Sequence, residues 1–111
     1  MKENLRDWIV EAAEGEDVEA VVFGKMGGRG DYGKKNVPGY DERPRGKVIE
    51  WATAEPLLRY EFDSGSGAPG CEAVYAWTAS RIIFIVRYDG STCPCWVPRN
   101  PCECKPEMPG G

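Results

Sequence analysis

The chain predicts an α+β fold: one N-terminal helix packed on a mostly antiparallel sheet of about four to five strands, with long Gly/Pro-rich loops. Three observations predict it. Leu5, Trp8, Ile9, Ala12 and Ala13 recur at helical spacing. Runs of β-branched and aromatic residues broken by turn residues dominate residues 73–97. Fourteen glycines and nine prolines cluster in 24–46, 63–70 and 94–111, which leaves those stretches as loops.

The helix is expected over residues 4–14. Asn4 can cap it, Asp7 sits in its first turn where the helix dipole favours an acid, and Gly15 can end it in a left-handed conformation. A strand over 19–23 follows and stops at Gly24. Residues 24–46 read as loop, and 47–51 as a second strand. Thr53 then precedes Ala54-Glu55-Pro56-Leu57-Leu58, which predicts a capped helical turn with its proline early. Residues 60–62 extend that turn or begin a strand.

After a flexible turn at 63–70 come three strand signals: 73–77, 81–88 and 92–97. Asp89-Gly90 marks a hairpin between the last two. Between Ile82 and Val86 both faces of the strand are apolar. That predicts a central strand covered on both sides. One domain over 1–111 is expected, with 98–111 as a proline- and cysteine-rich tail.

Composition limits the function classes. The chain of 111 residues carries no histidine, the commonest general base near neutral pH and the commonest metal ligand. Histidine-dependent hydrolase and deaminase chemistry is thereby excluded, and no other catalytic constellation stands out, so a non-enzyme is expected. No apolar run approaches the ~18 residues that a membrane span requires. Met1-Lys2-Glu3-Asn4 lacks the apolar core of a signal peptide, which predicts a cytoplasmic setting with reduced thiols.

The net charge of −4 is unevenly placed. Residues 1–20 carry seven acids and two bases, residues 25–47 seven bases and three acids, and residues 48–80 five acids and one base. Arg29, Tyr32, Lys34, Lys35, Tyr40, Arg43 and Arg45 mix bases with aromatics in the middle segment. That mixture suits a partner's phosphates or acidic groove, or a solvated loop that offsets the neighbouring acids. The overall acidity argues against direct binding to nucleic acid. Gly28, Gly30 and Gly33 satisfy a dinucleotide-type glycine pattern, and Gly33-Lys34 a phosphate-loop pattern. Lys35 stands where the phosphate loop needs Ser or Thr, and Asn36-Val37-Pro38-Gly39 is not the helix that either motif requires. Glu61 and Asp63 share a strand face and could serve acid–base chemistry, or simply be solvated.

Four of the five cysteines fall within twelve residues, as Cys93-Pro94-Cys95 and Cys102-Glu103-Cys104. Four thiolates can hold zinc in a tetrahedron, the cofactor this set could bind, and the spacing also suits a soft metal such as copper(I). The spacing departs from the common Cys-x2-Cys ribbon, so a disulfide staple and unligated thiols stay open beside it. Cys71 reads as a small buried hydrophobe.

The runs Ala73-Val74-Tyr75-Ala76-Trp77-Thr78, Tyr88-Asp89-Gly90-Ser91-Thr92, Val97-Pro98-Arg99-Asn100-Pro101 and Pro106-Glu107-Met108-Pro109-Gly110-Gly111 resemble small uncharacterised proteins of bacteriophages and prophages. The resemblance covers the C-terminal half. It implies a protein of the bacterial host cytoplasm that binds and disables a host protein or ribonucleoprotein complex, in the manner of anti-CRISPR and other anti-defence proteins. The expected function is therefore that of a non-enzymatic inhibitor working through residues 25–47 and an acidic face within 50–72. The alternative is a small zinc-binding structural module.

Overall fold

The structure, a computed structural model, describes residues 2–26, 33–65, 70–88 and 90–108 of the chain. The fold is α+β. A short strand β1 (Lys2–Asn4) leads into helix α1 (Leu5–Ala12), followed by β2 (Ala20–Met26), β3 (Val48–Glu50), a short helix α2 (Trp51–Ala54) and β4 (Glu61–Asp63). The chain closes with β5 (Glu72–Trp77), β6 (Arg81–Tyr88) and β7 (Ser91–Pro98). Three 3-10 turns, at Lys34–Asn36, Tyr40–Glu42 and Glu55–Leu58, fill the connections. Strands β3-β2-β5-β6-β7 form one antiparallel sheet in that order, and β1 pairs with β4 in a second sheet of two strands.

α1 forms for the reasons its sequence gives. The Asn4 side chain accepts the Asp7 amide at 3.1 Å, which satisfies one of the orphan donors of the first turn. Leu5, Trp8 and Ile9 share one face and are buried beneath it. The helix ends where Glu14 and Gly15 both turn to positive φ, a conformation glycine adopts without strain. Trp8 meets Phe62 edge-on at 5.0 Å between ring centres and donates its indole N–H to Glu3 at 3.0 Å. Burying side chains such as Leu5, Ile9, Phe23, Leu58 and Phe62 contributes roughly 1.5–3 kcal/mol each.

Two expectations change. Thr53 caps nothing: it lies inside α2, whose N-cap position is Glu50, and Pro56 begins the 3-10 turn after it. β6 lies inside the sheet between β5 and β7, and among the described residues the buried cluster covers one of its sides. The sheet residues of the buried cluster, among them Val21, Phe23, Val74, Ala76 and Ile83, all belong to the face that α1, α2 and the 33–46 segment pack against. Ile82, Phe84 and Val86 point to the opposite face and lie outside that cluster. Among the described residues no helix is long and apolar enough to cross a membrane.

Candidate interaction surfaces

The middle basic segment folds as a strap against the end of β2. Val37 anchors it in the core, the Gly46 amide bonds the Phe23 carbonyl at 2.9 Å, and the Tyr40 hydroxyl accepts the Met26 amide at 2.9 Å. Two of its cations, Arg43 and Arg45, turn inward as a consequence. Arg43 has a side chain only 2% exposed; its Nε donates to Glu72 at 3.0 Å and its guanidinium lies 5.0 Å from the centre of the Phe23 ring. Arg45 lies 3.9 Å over the Tyr40 ring and donates to the Tyr40 carbonyl at 2.8 Å. Lys34 pairs with Asp41 at 2.7 Å. Lys35 is exposed. Arg29 and Tyr32, with Gly28 and Gly30, lie outside the described residues. Arg43 is thus a tether of the strap, not a contact open to a partner. Only the three-residue 3-10 turn Lys34–Asn36 follows Gly33, so the strap carries no helix N-terminus to hold a phosphate.

Glu72 is the residue that sequence reasoning missed. Its side chain is 0% exposed and takes Arg43 on one oxygen and the Tyr60 hydroxyl, at 3.1 Å, on the other. The Glu72 amide in turn donates to the Tyr60 oxygen at 3.1 Å. Burial pushes the Glu72 carboxyl above its ordinary range, and Arg43 and Tyr60 pull it back only in part. Burial also raises the Tyr60 hydroxyl, and it pushes the Cys71 thiol up to about 12. A signal was present: Glu72 precedes Val74 and Ala76 at strand period, so an acid occupies an inward position. The Arg43 Nη2 and Arg45 Nε atoms are buried and find no acceptor among the described residues.

β5 and β6 pair only where Tyr75–Trp77 faces Ile82–Phe84. Toward Glu72 the strands part around a cavity of about 100 Å³, lined in part by Cys71, Glu72, Ile85 and Arg87. Small-molecule pockets run to ~300–1,000 Å³, so this space suits a few waters, not a metabolite.

The tail cysteines do not converge. Cys93 and Cys95 share one face of β7, opposite Val86 and Phe84, while Cys102 and Cys104 sit beyond the sheet in an exposed extended segment. The Cys102 thiol is raised from its ordinary value, by desolvation first and then by the neighbouring Cys104. Among the described residues no three acids, cysteines or histidines come together as a metal site. Glu61 and Asp63 both point outward from β4. Asp63 accepts the Gly65 amide at 2.8 Å, which lowers its carboxyl below the ordinary range.

On the outer side of α1, Asp7, Glu11 and Glu14 are exposed at helical spacing, with Asp17 exposed just beyond them. Arg6 pairs with Asp7, and Arg81 with Glu14. Among the described residues Glu11 and Asp17 have no ion pair. No protein-family model, curated protein or solved structure matches this chain.

Proposed function

We propose that this protein is a non-enzymatic, phage-type binding protein that inhibits a host nucleic-acid-handling or defence complex, such as a CRISPR effector. It does so by presenting an acid-rich surface to that complex's basic groove. One observation carries the reading: several of the bases are engaged within the molecule, while acids of α1, of the turn after it and of β4 stand at the surface. Arg43, Lys34 and Arg45 are engaged within the strap, and Arg81 and Arg99 brace the sheet against Ala12, Thr78 and Glu19. Glu11, Asp17 and Glu61 stand exposed. An anionic surface on a compact acidic body is drawn to the cationic channels of nucleic-acid enzymes, and it competes there with phosphate. The C-terminal resemblance to phage proteins agrees with this role.

The test is competition. A CRISPR effector is equilibrated with labelled DNA and titrated with this protein, once as wild type and once as Glu11→Lys/Asp17→Lys. The wild type should displace DNA, less effectively as salt rises, and the reversed variant should displace at least tenfold less. Equal displacement by both proteins, or none by either, contradicts the proposal.

A further inference from the structure

The open face of the five-stranded sheet is a second surface, chemically unlike the first. The strand registers align one cross-sheet row, Val48–Val22–Tyr75–Phe84–Cys95, over all five strands. A second row runs Glu50–Ala20–Trp77–Ile82–Val97. One charge, Glu50 on the edge strand β3, appears in the ten positions. Val48 is 75% exposed and Tyr75 57% exposed, and Tyr75 and Trp77 meet edge-on at 6.3 Å.

We propose that this face is a homodimer interface, on which a second copy of the chain lays its own open face, sheet against sheet. Four features argue for that occupant. The two rows are apolar but for Glu50, so their complement must be apolar too, and the chain itself carries such a surface. The net charge of −4 would set copies apart, but the acids of α1 lie on the other side of the sheet, so open faces can meet without opposing them. β6 is apolar on both faces, a pattern of strands covered from both sides, and the described residues cover one. Finally, five strands at ~4.8 Å spacing and about six residues at ~3.3 Å rise project to roughly 500 Å² before side-chain relief. That approaches the ~600 Å² per partner at the low end of specific interfaces, and aligned sheets pack naturally at ~10 Å. The inference stands independently of the acid-surface reading; a back-to-back dimer would turn both acid surfaces outward.

Sedimentation velocity on the full chain, with reductant to prevent disulfide cross-linking, tests it. At ~100 μM, above the micromolar Kd expected of so small an interface, the wild type should sediment near twice its 12.3 kDa. Tyr75→Lys should shift it to the monomer mass. Val48→Lys, at an exposed edge position where folding is least disturbed, should weaken the dimer at least tenfold, and circular dichroism checks that each variant is folded. Glu11→Lys, on the opposite side, should leave the mass unchanged. A wild type that remains at 12.3 kDa throughout, or a dimer that survives both substitutions on the face, overturns the proposal. A monomer that binds some other apolar partner through this face overturns it equally.

Discussion

Glu72 and Arg43 show how burial decides what a charged residue does. The two charges are removed from water together, and the carboxyl is still raised above its ordinary value of 4.5. The pair therefore specifies where the strap docks more than it stabilises the fold. Arg43→Leu should cost about 3–5 kcal/mol by leaving Glu72 buried and unpaired, and Arg43→Leu/Glu72→Leu should recover most of that loss. Urea denaturation of the two variants against wild type measures both. Glu16 behaves oppositely. The Thr78 and Ser80 hydroxyls and the Ser80 amide donate to its carboxylate and hold it below its ordinary 4.5. Its contribution is present above that value and is lost as pH falls through the lowered one. Stability measured from pH 7 to pH 3 should fall on the acid side for wild type and fall less steeply for Glu16→Gln. Thiol titration should separate the cysteines: Cys93, Cys102 and Cys104 are exposed and react in the native protein. Cys71, buried and raised to about 12, should react only on unfolding.

At the scale of elements, much was legible because the signals were local. Asn4 and Gly15 bound α1 as their chemistry requires, and Asn4→Ala should cost about 1 kcal/mol, read from the same denaturation curves. The strand signals of β2, β3, β5, β6 and β7 are local runs of β-branched and aromatic residues. β1 was not legible: Lys2-Glu3-Asn4 is polar, and its strand exists only because Glu61–Asp63 pairs with it across the fold. The basic strap was legible as a run of charge, but the burial of Arg43 within it was not. A run records which side chains are present, whereas the partners Glu72 and Asp41 are brought to Arg43 and Lys34 by folding. The same holds for the cysteines, whose clustering along the chain is undone when Cys93 and Cys95 lie along a strand and Cys102 and Cys104 leave the sheet.

At the scale of the molecule, the sheet separates two surfaces. One side carries the core, the strap and the exposed acids of α1; the other carries two aromatic and aliphatic rows in which Glu50 is the one charge among ten positions. The functional proposal belongs to the first side. Its most direct test is target-DNA cleavage by a CRISPR effector, titrated with this protein. The account predicts cleavage that falls with added wild-type protein and returns as Glu11→Lys/Asp17→Lys replaces it. Cleavage that proceeds unchanged at a large molar excess of wild-type protein, or that both proteins suppress equally, would contradict it.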